Sequence, residues 1–297
     1  MQRRRCIQII TYHSSAGACG DEMMSELLQQ QTWRVIDHTS LGPSFDAKQS
    51  FAFDDALCES VGSGQSQPVV RLWVHHQTVV LGIQDTKLPY IEKGLAYLHE
   101  QGWRTIVRNS GGLAVVLDEG VLNVSLIFPD TKKGIDIDRG YEAMATLIAH
   151  MLPEAHVQTG EVVGSYCPGS FDLSINGKKF AGISQRRIRG GVAVQVYICV
   201  NGSGAERAGW IREFYERSLA GEQTKFTYPT IVPHTMASLS ELLSKEMTVS
   251  ALVIRLYEAL QAFGSRLEPS SLTPAEWERY YMYFQRMIDR NETMLPT

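Results

Sequence analysis

The stretch from Gly164 to Val200 reads GSYCPGSFDLSINGKKFAGISQRRIRGGVAVQVYICV, and it decides both the predicted fold and the predicted site. Asn176-Gly177 is the dipeptide that a two-residue type I′ hairpin turn requires, because both central residues of that turn take positive φ. Strand-forming residues flank it on both sides, and a second turn near Gly190 leads into a third strand-like run, Val192–Val200. We therefore predict a three-stranded meander.

A cysteine and a lysine in this region are candidate catalytic residues. Cys167 lies in the loop before the first strand, and Lys179 lies on the second strand. The thiolate is the reactive form of cysteine, and a nearby ammonium lowers the cysteine pKa. Lys179 would then protonate a departing amine and later accept a proton from an attacking one, as acyl transfer requires. The alternative is a loop cysteine without a role and a solvated lysine, and spacing alone does not decide between the two.

The composition of the chain narrows the classes of protein to which it can belong. With 297 residues, 44% of them hydrophobic, the chain is long enough for one large core with a modest appendage. A formal net charge of −4 gives no argument for binding nucleic acid or an anionic membrane, and no apolar run approaches the ~20 residues that span a bilayer. Five scattered cysteines without a C-x-x-C pair favour reduced thiols, so we predict a cytoplasmic protein.

Strands and helices alternate along the chain without strict βαβ order, which predicts an α+β fold with a mainly antiparallel sheet flanked by helices. Helices are predicted over 44–61, 85–101, 136–152, 204–219, 237–245 and 248–263. A last helix begins at the capping box Thr273-Pro274-Ala275-Glu276, with Trp277, Tyr280, Tyr281, Phe284 and Ile288 on one side. Before the meander, strands are predicted over 33–36, 69–76, 78–82, 105–108, 113–117 and 121–128, with those over 69–76 and 78–82 adjacent.

A second motif is the loop Arg108-Asn109-Ser110-Gly111-Gly112. Glycines after a strand let the backbone approach a ligand and expose N–H groups to an oxyanion, although a plain turn between strands is the alternative reading. The loop is not a P-loop, because no Gly-Lys-Ser or Gly-Lys-Thr follows it. His75-His76 is not predicted to bind a metal, since adjacent strand residues point to opposite faces. Serine hydrolase chemistry is disfavoured because the sequence has no G-x-S-x-G motif.

A basic cluster also lies in the meander. Its members are Lys178, Lys179, Arg186, Arg187 and Arg189, in an otherwise acidic chain. The cluster is either a docking surface for an acidic protein partner or a solvated strand face.

Three segments resemble the motifs of the lipoyl/octanoyl protein ligase and transferase superfamily, which is related to the biotin protein ligases. They are Arg108 to Val115, Asp118-x-Gly120-x-Leu122-Asn123-x-Ser125, and Asp172 to Gly182, which places the family's lysine on Lys179. Four further segments are similar to the cysteine-dependent octanoyltransferases: Val74–His76, Leu81–Asp85, Gly164–Ser170 and Gly182–Arg187. The acyl-thioester cysteine of that group falls on Cys167. Two positions depart from the superfamily, because Leu113 stands in place of a third loop glycine and Leu117 in place of a histidine.

The resemblance implies a biotin/lipoate protein ligase-like domain and a transamidation. An octanoyl group would move from a lysine of the glycine-cleavage H protein to a lysine of the lipoyl domains of 2-oxoacid dehydrogenase E2 subunits, through a thioester on Cys167. Exchanging one amide for another needs neither ATP nor any other cofactor or metal. The resemblance implies no nucleic acid and no membrane as a partner. The residues implied to bind substrate are Arg108, Asn109, Ser110, Gly111, Gly112, His76 and Gly182.

The resemblance divides the chain into a poorly patterned leader (1–32), a ligase/transferase-like catalytic domain (33–243) and a C-terminal helical extension packed on the same domain (244–297). Three other functions stay open at this point. The first is a cysteine-dependent transferase whose donor is octanoylated acyl carrier protein. The second is an ATP-dependent lipoate ligase, which has no use for Cys167 and would have to bind ATP beside Leu113. A non-catalytic acyl-binding module is the third.

Overall fold

The computed structural model describes residues 26–130 and 134–296. Most of the leader predicted over 1–32, with Cys6 and Cys19, lies outside the described residues.

Eleven strands occur in the described part of the chain. They are β1 (Thr32–His38), β2 (Val69–Trp73), β3 (Thr78–Leu81), β4 (Arg104–Val107), β5 (Val115–Leu117), β6 (Val121–Pro129), β7 (Gln158–Thr159), β8 (Asp172–Ile175), β9 (Lys178–Ile188), β10 (Gly191–Cys199) and β11 (Arg266–Pro269). Eight of them form one sheet in the order β11-β1-β2-β6-β10-β9-β8-β7. β1 runs parallel to both of its neighbours and every other pair in this sheet is antiparallel, so the predicted mainly antiparallel sheet and the meander β8–β9–β10 are confirmed.

The other three strands form a small sheet in the order β4-β3-β5. This arrangement corrects the prediction that the strands over 69–76 and 78–82 are adjacent. β1 and β6 already occupy both edges of β2, so β3 cannot pair with it. A left-handed turn at Gln77, with φ of 39°, takes the chain from the large sheet to the small one.

Seven α-helices occur in the same described residues. They are α1 (Ala47–Gly62), α2 (Ile91–Glu100), α3 (Ile137–Met151), α4 (Gly204–Leu219), α5 (Leu239–Leu243), α6 (Val249–Ala262) and α7 (Pro274–Met294). The helix predicted over 85–101 is wrong in its first turns, because only a 3-10 turn, Asp85–Lys87, precedes α2. Leu88 has an extended backbone (φ −62°, ψ 135°), as expected of a residue that precedes a proline. No helix of the described residues is long and apolar enough to cross a membrane.

Two apolar layers pack on opposite faces of the large sheet. Successive residues of β10 alternate between them: Val192, Val194 and Val196 join the layer that contains α3 and α6. Ala193 and Tyr197 join the layer that contains α1, α4, α7 and the small sheet. Full burial of a valine or leucine side chain contributes roughly 1.5–3 kcal/mol, so both faces stabilise the sheet. The small sheet thus lies against the Tyr197 side, where the site is found.

The C-terminal helix α7 begins at the predicted capping box, with Thr273 and Glu276 bonding each other's backbone N–H. Its buried residues are Glu276, Tyr280, Tyr283 and Met287. Tyr280 was predicted on the buried side, and each of the other three lies one position before a predicted residue. Trp277 and Tyr281 are therefore exposed. The shift follows from Glu276, which is drawn inward by an ion pair with Arg34 of β1 at 2.8 Å.

Near its end, α7 also closes an open strand edge. The Oδ1 of Asn291 accepts a hydrogen bond from the Val107 N–H at 2.7 Å, and its Nδ2 donates to the Val107 carbonyl at 3.2 Å. β4 is an edge strand of the small sheet, so the Asn291 amide takes the place of a paired residue.

Candidate active site

Cys167 lies in the loop that enters β8, at the end of the β8–β9 hairpin opposite its turn. At the turn, Asn176 and Gly177 have φ of 51° and 75°, so the predicted left-handed turn residues are present. Cys167 itself has φ of 45°, which is uncommon for a residue with a Cβ. Such a conformation persists only where the surrounding structure holds it.

Lys179 supplies that support. The side chain is fully buried, and Nζ donates to the carbonyl oxygens of Tyr166 and Cys167, both at 2.9 Å. It also pairs with Oδ1 of Asp172 at 2.8 Å, and Ser165 Oγ lies at 3.4 Å. The three closest acceptors match the three donors of an ammonium group. Lys179 therefore holds its positive charge against the backbone of Cys167.

The sulfur of Cys167 contacts the glycine loop that follows β4. Sγ accepts hydrogen bonds from the Leu113 N–H at 3.1 Å and from Nη2 of Arg108 at 3.5 Å. At Gly112, where φ is 104°, an added Cβ would lie 2.2 Å from Arg108 Nη2 and 3.0 Å from Sγ, so only glycine fits. A backbone N–H and a guanidinium that both reach one sulfur stabilise negative charge on it.

Buried polar groups fix the back of this loop. The Oη of Tyr215, on α4, accepts from the Ala114 N–H at 3.3 Å and donates to Oδ1 of Asp85 at 2.8 Å. Oδ2 of Asp85 accepts from the Gly82 N–H at 2.7 Å. Burial raises the pKa of Asp85 to about 6, although these hydrogen bonds lower it. Gly82 in turn touches the loop, because a Cβ there would lie 1.9 Å from the carbonyl oxygen of Gly112.

A cavity of about 260 Å³ opens beside Cys167. Its buried apolar lining combines the large sheet, α1 and the small sheet, with the residues Phe51, Trp73, Val80, Val115, Leu117, Val196 and Tyr197. The rest of the lining includes Arg108, Gly111, Gly112, Tyr141, Cys167, Pro168, Phe171, Gly182 and Gln185. The thiol is therefore next to a chamber suited to a hydrocarbon chain.

The sequence matches the pattern of a family described as Lipoyl protein ligase A/B catalytic domain over residues 46–261. The chain belongs to this family. Among curated members, the Octanoyl-[GcvH]:protein N-octanoyltransferase of Geobacillus kaustophilus is 62% identical over 275 residues, covering 92% of this chain and 97% of that protein. The Lipoyl-[GcvH]:protein N-lipoyltransferase of Listeria monocytogenes is 50% identical over 271 residues, covering 91% of this chain and 98% of the relative.

Solved structures of lipoate ligases share the fold. A bi-partite lipoate protein ligase of Thermoplasma acidophilum superposes with a TM-score of 0.66 at 17% identity, covering 90% of this chain and 98% of that one. A lipoate-protein ligase A bound with ATP gives a TM-score of 0.66 at 17% identity, covering 86% of this chain and 95% of that one. The predicted α+β, lipoate ligase-like fold is confirmed.

The predicted site residues other than His76 fall in three places. Arg108, Gly111, Gly112, Cys167 and Gly182 line the cavity, and Lys179 lies directly behind Cys167. Asn109 and Ser110 are in the same loop but off the cavity wall.

Asn109 Nδ2 donates to Oδ2 of Asp55, on α1, at 2.8 Å. Ser110 Oγ is buried and has no hydrogen-bond partner among the described residues.

His76 does not line the cavity, and its role in binding substrate stays a prediction. It sits between β2 and β3, and its carbonyl oxygen accepts hydrogen bonds from Thr78 and Arg104. The neighbouring His75 is fully buried, with Nε2 2.9 Å from Ser50 Oγ. Burial lowers the pKa of His75 to about 3, as expected of a neutral core histidine.

Sequence reasoning missed three side chains that shape the site: Asp172, Asp85 and Tyr215. Asp172 had a local signal, since it begins the strand that pairs with the Lys179 strand. Asp85 and Tyr215 are 130 residues apart, so no local pattern relates them.

The basic cluster of the meander is mostly neutralised. Arg186 forms a two-point ion pair with Asp55, and Arg187 pairs with Asp130 at 3.0 Å. Lys179 is buried, which leaves Lys178 and Arg189 as exposed cations without an ion pair among the described residues. This arrangement fits a strand face better than a concentrated docking surface.

Proposed function

We propose that this protein is an octanoyltransferase that uses Cys167 as its nucleophile. The donor is the octanoylated H protein of the glycine cleavage system, the GcvH in the names of its relatives, and the acceptor is a lysine of an E2 lipoyl domain. The observation that carries the proposal is the Cys167 sulfur, held by two hydrogen-bond donors at the entrance of an apolar cavity. The proposed location is the cytoplasm, which is supported by five scattered cysteines without a C-x-x-C pair in the sequence.

In the first half-reaction, the Cys167 thiolate attacks the carbonyl carbon of the octanoyl-lysine amide. An S–C bond forms, the C–N bond breaks, and the departing amine takes up one proton, which the Lys179 ammonium supplies as it becomes a neutral amine. Negative charge moves from sulfur to the carbonyl oxygen, two bonds away. The Leu113 N–H and Arg108 stabilise the charge at both stages, and one such donor changes a rate by roughly 10²–10³-fold.

In the second half-reaction, an acceptor lysine attacks the thioester, the C–S bond breaks, and the amine gives up a proton as thiolate returns. Lys179 is proposed to favour the thiolate by its charge and to carry this proton, and its position supports the first role directly. The second role requires Nζ to release one of its present acceptors, of which the Cys167 carbonyl is nearest to the chemistry.

The cavity supports an eight-carbon chain as the transferred group. Each buried CH₂ contributes about 0.8 kcal/mol, so the lining discriminates against short acyl chains. Leu113 favours a transferase over an ATP-dependent ligase, because its side chain is buried in the loop where ATP would have to sit and its N–H is committed to the thiol.

A second candidate is lipoyl transfer by the same mechanism. It is favoured by the Listeria monocytogenes relative, whose name specifies lipoyl and which is as similar to this chain as several octanoyltransferases are. Both acyl groups have the same eight-carbon length, and they differ in the dithiolane ring at the far end.

The test is intact-mass spectrometry after mixing the protein, without ATP, with one donor at a time: octanoyl-H protein, lipoyl-H protein or octanoyl-acyl carrier protein. We expect a hydroxylamine-labile octanoyl adduct on Cys167 from octanoyl-H protein, and its transfer to a lipoyl domain on addition of that domain. Cys167→Ala is expected to form no adduct. Cys58→Ala, which removes a buried thiol of α1, is the control and is expected to retain the adduct.

The other outcomes are distinguishable. An adduct from lipoyl-H protein alone supports the second candidate, and one from the carrier protein alone assigns a different donor. No adduct from any donor, with activity appearing on addition of ATP and octanoate, identifies a ligase. Full transfer activity in Cys167→Ala would refute the thioester mechanism.

A further inference from the structure

The peptide group between Leu113 and Ala114 is held at both of its polar atoms. Its carbonyl oxygen accepts from Arg108 Nη2 at 2.6 Å, and its N–H donates to Tyr215 Oη at 3.3 Å. The orientation of this peptide fixes the backbone of Leu113, whose own N–H reaches Cys167 Sγ at 3.1 Å. A change on the Tyr215 side therefore alters the direction of the donor to the sulfur.

The hydroxyl of Tyr215 has a defined polarity because of Asp85. A carboxylate only accepts hydrogen bonds, so its Oδ1 takes the hydroxyl hydrogen and leaves a lone pair of Oη for the Ala114 N–H. Both side chains are almost fully buried, so no solvent competes with this arrangement. The same carboxylate holds the Gly82 N–H, and Gly82 is in contact with the loop at Gly112.

We propose that Tyr215 and Asp85 are positioning residues for Cys167: together they orient the Leu113–Ala114 peptide so that the Leu113 N–H points at the thiol. They touch neither the sulfur nor the acyl chain, and they act through the backbone of the glycine loop. This inference rests on the proposed role of Cys167 as nucleophile and assigns that site two further residues.

The experiment measures alkylation of Cys167 by iodoacetamide as a function of pH, with the modified peptide quantified by mass spectrometry. Tyr215→Phe keeps the ring but removes the hydroxyl, so the Leu113–Ala114 peptide is held by Arg108 alone and the Leu113 N–H is directed less firmly at the sulfur. We expect alkylation at pH 7 to slow by about tenfold, and the pH of half-maximal alkylation to rise, because one hydrogen bond to an anion is weakened.

Tyr228→Phe is the matched control. Tyr228 packs beside Tyr215, with ring centroids 5.6 Å apart, and its hydroxyl donates to the Gln84 carbonyl instead of the glycine loop. It is expected to alkylate with the wild-type pH profile. A purely structural effect of losing a buried tyrosine hydroxyl would appear in both variants.

Asp85→Asn provides a second measurement if Tyr215→Phe does not fold. The amide nitrogen donates to Oη, which leaves the tyrosine hydrogen without its acceptor and disturbs the same peptide. We expect the same rise in the pH of half-maximal alkylation. A folded Tyr215→Phe or Asp85→Asn protein that alkylates Cys167 at the wild-type rate and pH would overturn the proposal. Alkylation requires no acyl donor, so this result is independent of whether octanoyl transfer itself is observed.

Discussion

Lys179→Met is expected to cause a large loss of stability, because Lys179 is the cation of a buried ion pair. It removes the ammonium that pairs with Asp172 at 2.8 Å and that donates to the carbonyls of Tyr166 and Cys167. Both members of the ion pair have almost no solvent exposure, with side-chain exposures of 0% and 3%. Removing one partner of such a pair costs about 3–5 kcal/mol, because the other charge stays buried.

The measurement is urea unfolding at pH 7, followed by tyrosine and tryptophan fluorescence. We expect Lys179→Met to lose about 4 kcal/mol and the double variant Lys179→Met/Asp172→Asn to regain about half of it, since the stranded charge is gone. The loss is expected to shrink as the pH falls, because burial already raises the pKa of Asp172 and protonation neutralises it. Lys178→Met changes the exposed neighbour and is expected to stay within about 0.5 kcal/mol of wild type.

A loss below about 1 kcal/mol, or a double variant no more stable than the single one, would refute this account of Lys179. If the loss is as expected, inactivity of a Lys179 variant cannot by itself identify proton transfer. The backbone of Cys167 would have lost its support at the same time.

Three further predictions concern the loop, its buried carboxylate and the cavity. Gly82→Ala places a Cβ 1.9 Å from the Gly112 carbonyl and is expected to lower transfer activity by at least roughly 100-fold, whereas Gly209→Ala, where a Cβ meets nothing within 4 Å, is expected to keep it. The pKa of Asp85 in the folded protein is about 6, above its ordinary 3.8, so the folded protein binds the Asp85 proton more tightly than the unfolded chain does. The free energy of unfolding therefore falls as the pH rises from 3.8 to about 6. Asp85→Asn is therefore expected to remove up to about 3 kcal/mol of that decline between pH 4 and 7, measured by urea unfolding against wild type; an unchanged slope contradicts the assignment. Val80→Phe fills part of the cavity and is expected to reduce octanoyl transfer more than hexanoyl transfer, which competition between the two acyl-H proteins would measure.

Local pattern predicted most elements of the fold. Asn176-Gly177 predicted the β8–β9 hairpin because a type I′ turn has few compatible dipeptides, and Thr273 to Glu276 predicted the start of α7 because capping is a four-residue interaction. The misplaced start of α2 has an equally local cause, since Pro89 outweighs the apolar periodicity that extends past it.

The candidate site was predicted in its parts but not in its contacts. The position of Cys167 before a hairpin follows from sequence, whereas the partners of its sulfur are 54 and 59 residues away in sequence, in the loop between β4 and β5 of the small sheet. Lys179 was predicted near the thiol and is found under its backbone. Tertiary packing decides such contacts, and it also decides that Glu276 is buried while Trp277 is exposed.

The hydrogen bonds between Asn291 and Val107 bear on where the functional unit of this protein ends. The family match stops at residue 261, yet the helix beyond it closes the strand that leads directly into Arg108. A protein cut at the family boundary would lose Asn291 and free both polar atoms of Val107 at an unprotected strand edge. The region that the family match covers is thus shorter than the region that must fold together to hold the thiol, so a truncated form of the protein should retain the residues through Asn291.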